Sequence, residues 1–215
     1  MQGNTYQRAL AIAGVLFAVV IMVAIVLSGD QPDDNQSASK VLSYWHDHQT
    51  KAVAAALLAH AAAVLFVFFG AGLRSALRSG EAEEATYSVV AFGGAVLTAA
   101  GFVIAGMLGL AATTAADHGA QNAVYTINHI SAVDWIPFTA GLSVLMLAAG
   151  VGGLRTLALP RWMSWVAIVL GVAFFTPVGA FGFLLVPFWV IAVSVVLYRR
   201  SEGVASPMPV PSSAA

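Results

Sequence analysis

Five histidines, His46, His48, His60, His118 and His129, are the side chains of this sequence whose ordinary pKa lies near neutral pH. Two of them stand in the run Tyr44-Trp45-His46-Asp47-His48, one follows Asp117, and His129 lies five residues before Asp134. Imidazole and carboxylate groups together can hold zinc, copper or nickel without thiols, or act as a protonation switch. The local spacing does not build a metal site. On a helix His46 and His48 would stand about 200° apart, and only an extended segment would put them on one face. No HExxH motif and no i, i+4 histidine pair is present. His46, His48, His118 and His129 are therefore metal candidates only if the fold gathers them; otherwise they are solvated groups.

His60 lies about 13 Å into an apolar run that begins near Ala52. Ionisable groups inside a membrane are rare and point to function. Haem ligation would need a second axial ligand at matching depth, and His129 is too shallow to supply it. The plain alternative is a neutral imidazole hydrogen-bonded to a neighbouring helix. Asp134, followed by Trp135 and Pro137, has the placing of a helix N-cap; its alternative is a role beside His129 or His60. The expected ligand-facing set is thus His60, Tyr44, His48, His129 and Asp134. There is no nucleophile elbow, P-loop or nicotinamide fingerprint, and no carboxylate at mid-membrane. No catalytic residue is assigned.

The elements that must carry these groups follow from composition. The chain has 215 residues, of which 60 % are hydrophobic and 9 % charged, with no cysteine. A soluble domain carries roughly 25 % charged residues, so this chain cannot cover a soluble globule. The absence of cysteine excludes disulfides, thiolate zinc sites and iron–sulfur clusters. A net charge of −1 argues against a nucleic-acid partner. What remains is an all-α polytopic membrane bundle.

A span needs about 20 mostly apolar residues. Such runs cover about 9–27, 52–73, 86–112 and 133–154. The first is longer than the ~7–15-residue core of a signal peptide, so it is read as a retained span. Residues 37–50 are expected as a short interfacial helix capped by Ser37 or Ser39, with Tyr44 and Trp45 at headgroup level. Residues 113–132 are expected as a polar loop. The apolar stretch Met163–Tyr198 would be about 54 Å long as one helix, too long for a ~30 Å core. Thr176-Pro177-Val178-Gly179 favours a reversal, which gives spans at 162–176 and 181–198. Six spans place all seven arginines on one side and both lysines and all six aspartates on the other. The excess of positive charge marks the cytoplasmic side, so both termini are expected in the cytoplasm of a plasma-membrane protein. Residues 201–215 read as a disordered cytoplasmic tail.

A shift of 81 residues lays Tyr44 on Tyr125, His48 on His129, and Gly72-Leu73-Arg74 on Gly153-Leu154-Arg155. One reading is a duplicated hairpin, spans two–three and four–five, as transporters use; the other is a shared set of topology signals. Gly101, Ala105 and Gly109 form a small-residue stripe suited to close helix packing. Aromatic residues cluster at Phe66, Phe68 and Phe69 and at Phe181, Phe183, Phe188 and Trp189, to face lipid or fill gaps opposite small residues.

The entry helix at Tyr44, the exit Leu73-Arg74 and Leu77-Arg78, and Leu159-Pro160-Arg161-Trp162 opening a hairpin resemble a family. It consists of multi-pass membrane proteins of high-GC Gram-positive bacteria with no established activity. The resemblance implies six helices in a plasma membrane and no catalytic residue. The expected function is non-enzymatic, accessory or sensory, with an outward polar mouth for a small ligand, a lipid headgroup, a proton or a partner. A small-solute or lipid transporter is the first alternative and a metal- or haem-dependent membrane enzyme the second. The expected partners are the bilayer and a small ligand or another membrane protein; no cofactor is expected unless haem or a divalent metal binds.

Overall fold

The computed structural model describes residues 2–33, 35–82, 85–176 and 179–203. Asp34, Glu83, Glu84, the Pro177-Val178 pair, the Phe181 side chain and the tail from 204 lie outside the described residues. Every regular element described is helical: α1 (Gln2–Ser28), α2 (Ala38–Asp47), α3 (Gln49–Arg78), α4 (Thr86–Asp117), α5 (Gln121–Ser131), α6 (Trp135–Thr156), α7 (Arg161–Ala173), α8 (Gly179–Phe183) and α9 (Val186–Gly203). Four segments are long and apolar enough to cross a membrane: Thr5–Ser28, Gln49–Arg78, Thr86–Asp117 and Gln121–Thr156. With 13 residues, α7 reaches only about 20 Å.

The long helices pack in the order α9, α1, α3, α4, α6, α7. α4 separates α3 from α6, which meet only slightly. The second and fourth spans are therefore joined through a shared partner rather than face to face. The reason lies in the small residues of α4. A side-chain carbon at Gly94 would overlap the Leu145 nitrogen of α6, and one at Gly101 would stand 2.5 Å from the Phe138 nitrogen. From the opposite side, a carbon at Gly141 would overlap the Thr98 backbone. Backbones this close gain dispersion contacts that hold helices together in lipid, where the hydrophobic effect between them is absent.

Hydroxyl side chains fit the glycine notches. Ser194 of α9 faces Gly14 of α1, Ser164 of α7 faces Gly153 of α6, and Thr98 of α4 faces Gly141 of α6. Aromatic rings fill the middle. Phe17, Phe66 and Phe69 are fully buried, and Phe102 lies 6.0 Å from Phe17 and 6.1 Å from Phe66, centroid to centroid. Trp189 is also buried and donates to the Met163 carbonyl. Phe68 and Phe188 are exposed.

One end of the bundle carries arginines set over aromatic rings: Arg8 over Tyr198, Arg74 over Phe92 and Arg155 over Tyr87. At this end Glu81 accepts hydrogen bonds from the backbone and hydroxyl of Ser88 and so caps α4. Four of the histidines gather toward the opposite end, on or beside α2, α4 and α5.

Several expectations need correction. The stretch 113–132 is not a loop: α4 runs to Asp117 and α5 follows. Val124, Ile127, Asn128 and Ser131 recur at helical spacing and turn inward. Trp45 is enclosed by protein rather than presented at the surface. It is 3 % exposed and packs with Val41, Ala112, Ala116 and Val124. Ser37 does not cap α2, because its hydroxyl pairs with that of Ser39. α9 continues through 201–203, the expected start of the tail. The expected sixth span begins with the short α8, and α9 starts only at Val186.

Candidate functional site

At the histidine end, α2 and α5 lie against each other and roof over the long helices. Asn128 locks this layer. It is 4 % exposed, accepts from the Trp45 indole at 3.2 Å and donates to the Pro32 carbonyl at 3.1 Å. One residue thereby ties α5, α2 and the loop after α1.

Under that layer lies a cavity of about 210 Å³. Its inner wall is apolar. Phe102, Phe138 and Phe183 close the bottom, and their rings stand 5.0–6.2 Å apart. The sides are small residues: Ala52, Ala55, Ala56 and Ala59 on α3 face Ala105, Gly106 and Gly109 on α4. These two small-residue faces touch where Gly106 meets Ala56, and the cavity lies beside that contact, walled on its other side by Ile21, Ala24 and Ile25 of α1. Nothing lies within 4 Å of where a Gly109 side chain would begin. The expected packing stripe thus divides, with Gly101 packing and Gly109 lining a void.

The rim is polar. It comprises Ser28 and Gln31 from the end of α1, Tyr44 and His48 around α2, Lys51 at the start of α3 and Asp134 before α6. His48 Nδ1 lies 2.9 Å from the Tyr44 carbonyl. A carbonyl only accepts, so Nδ1 carries the proton and Nε2 of the neutral ring is an acceptor. The Tyr44 ring stacks on His48 with centroids 4.4 Å apart, and its hydroxyl donates to the Ser28 carbonyl at 3.3 Å. Burial, helped by the Asp30 carboxylate, pushes the Tyr44 phenol above its ordinary pKa. Tyr44 therefore keeps its proton and its role as donor. It lines this cavity and two shallower hollows, one formed with Asp30 and Asp33 and one with Asp30 and Lys51. It is the partition between the cavity and that acidic vestibule.

Asp134 is not an N-cap. Its backbone is helical (φ −68°, ψ −14°) and its side chain makes no capping bond. A cap needs extended backbone to turn its side chain back on the first amides. The half-buried Asp134 instead lines the cavity, and no described side chain forms a hydrogen bond or ion pair with its carboxylate.

Comparison with protein families, curated proteins and solved structures gives no match.

Of the five residues expected at a polar mouth, Tyr44, His48 and Asp134 line one cavity. His60 and His129 do not. His60 stands on the exposed face of α3. The wall positions 52, 55, 56 and 59 form one stripe, and position 60 lies about 90° round the helix from its centre. His129 packs edge-on to Tyr125 at 4.4 Å. The pair repeats the Tyr44–His48 spacing on α5 but stands outside the cavity. His46 pairs with Asp47 at 3.6 Å and His118 with the Thr114 carbonyl at 2.8 Å. Among the described residues no three metal-ligating side chains come together. Gln31 and the phenylalanine floor were not foreseen. The adjoining Ala52–Ala59 stripe was the available signal, since alanine on two facing helices leaves space.

Proposed function

We propose that this chain is a six-span integral protein of the plasma membrane, both termini cytoplasmic. In this reading it holds a small amphiphilic molecule in the cavity at its outward end, in an accessory or sensory role without catalysis. Four long apolar helices support the membrane assignment. The clustering of arginines at the end opposite α2 and α5 supports the orientation. The cavity carries the ligand assignment. Its apolar interior would accept a hydrocarbon or ring, while Tyr44, His48, Lys51 and Asp134 meet a polar end. Its volume exceeds the ~150 Å³ of an engineered apolar cavity that binds benzene. Below it the packed rings of Phe17, Phe66 and Phe102 leave the molecule a pocket rather than a passage.

The test is photolabelling of the purified protein with octanol bearing a diazirine at the chain end. Label is expected on the segments around Phe102 and Phe138. Gly109→Phe, whose side chain enters open space, is expected to abolish it. Equal labelling of both proteins, or label spread over exposed residues such as Leu57 and Val64, would overturn the reading.

A further inference from the structure

We infer that the polar end of the ligand is an ammonium group, seated on Asp134. This rests on the cavity reading above and names the chemistry the site selects. Asp134 stands on the wall of a cavity whose lining is mostly apolar, half-buried and without a capping or pairing partner among the described residues. A carboxylate drawn from water needs a counter-charge or donors. The described residues do not supply them. Lys51 is exposed at the rim and forms no ion pair with a described residue. The first amides of α6 are not reached by the Asp134 side chain.

The second rim group points the same way. His48 spends its Nδ1 proton on the Tyr44 carbonyl, which leaves Nε2 as an acceptor. Two acceptors on one rim suit a group with several N–H donors. A carboxylate or phosphate head would meet like charge at Asp134.

The approach is acidic as well. Asp30 and Asp33 line the hollow on the far side of Tyr44, and opposite charges along a cleft raise the local concentration of a cation. Lys51 lies at the outer margin. A headgroup that adds an anion beside its ammonium would find a partner there. The volume of about 210 Å³ equals roughly seven water-sized groups, enough for a short chain or a single ring.

The experiment compares three diazirine probes of equal chain length: octylamine, octanol and octanoic acid. Octylamine is expected to label the cavity at least tenfold more strongly than either of the others, about 1.4 kcal/mol. Asp134→Asn is expected to bring the octylamine-to-octanol labelling ratio down to about one. Circular dichroism shows whether the variant is folded, and the comparison of heads in the natural sequence stands without any variant. Equal labelling by amine and alcohol, or an amine preference that survives Asp134→Asn, overturns the inference while leaving the cavity reading intact. Failure of octanol itself overturns the cavity reading. Competition then identifies the source. Displacement by free octylamine assigns a soluble amine, displacement only by vesicles containing an ethanolamine phospholipid assigns a headgroup, and both sustain the ammonium assignment.

Discussion

Replacing Gly141 with alanine is the sharpest test of how the bundle is held. Gly141 lies on α6 where it crosses α4, and an added methyl carbon would stand 2.6 Å from Thr98 Oγ1 and 2.8 Å from Thr98 Cα. Carbon atoms rest at about 3.5–4.0 Å, so the helices must part by about 1 Å. The obstacle is backbone, which cannot rotate away. A gap of that size forfeits about a quarter to a half of each dispersion contact it opens. Gly94 and Gly101 close the same interface against Leu145 and Phe138 and would be prised open together. Overpacking costs about 1–3 kcal/mol, and backbone on backbone belongs at the upper end. Gly93 supplies the control. It is on the same helix as Gly94, but nothing lies within 4 Å of its missing side chain. Gly93→Ala should be neutral or stabilising by up to about 1 kcal/mol from helix propensity. The assay is unfolding in mixed micelles with a rising fraction of denaturing detergent, followed by circular dichroism. The reasoning fails if Gly141→Ala lies within about 0.5 kcal/mol of the natural protein, or above Gly93→Ala.

Asn128→Leu removes the acceptor of the Trp45 indole and the donor to Pro32; each buried group left unpaired costs about 1–3 kcal/mol. Amide exchange should quicken in α2 and in the loop after α1 while α3 and α4 stay protected, and uniform exchange would count against the lock. His60→Ala should change stability by less than about 0.5 kcal/mol, as expected of an exposed position away from such features, and should leave octanol labelling untouched; lost labelling would place His60 in the site.

The long helices were legible because length and apolarity are additive along the chain. Each of α1, α3, α4 and α6 contains a long, mostly apolar run free of Asp, Glu, Lys and Arg, and no partner is needed to recognise it. The end of α7 at Ala173 was legible for the same reason, since one helix through Tyr198 would overrun the bilayer. α5 was hidden because its inward face includes Asn128 and Ser131. Polar residues on a buried face erase the periodic signal unless their partners, here Trp45 and Pro32, are already known. The same blindness misplaced Trp45. An indole beside tyrosine in a polar segment has the composition of an interfacial anchor, and only the presence of α5 turns it into a core residue. His60 illustrates a third kind of loss. Depth along a helix can be counted from the sequence, but the facing direction depends on which neighbours arrive.

The small residues of α4 show why the cavity in particular could not be read from one helix. Glycine in lipid has no fixed meaning, because what it removes is a side chain and what it creates is set by the surface opposite. Gly101 faces the backbone of Phe138, and the missing side chain becomes contact. Gly109, eight residues on, faces no atom within 4 Å, and the missing side chain becomes space. The neighbouring surface decides between the two outcomes. Phe102, Phe138 and Phe183 form a floor, α3 and α4 touch above it where Gly106 meets Ala56, and the small residues beside that contact face open space under α1. The roof of α2 and α5, pinned by Asn128, keeps the space from opening fully to solvent. Filling it at Gly109 should therefore cost little stability while removing binding. Trimming the floor, as in Phe138→Ala, should instead cost stability, because it removes the ring contacts with Phe102 and Phe183 and leaves unfilled space beneath the pocket.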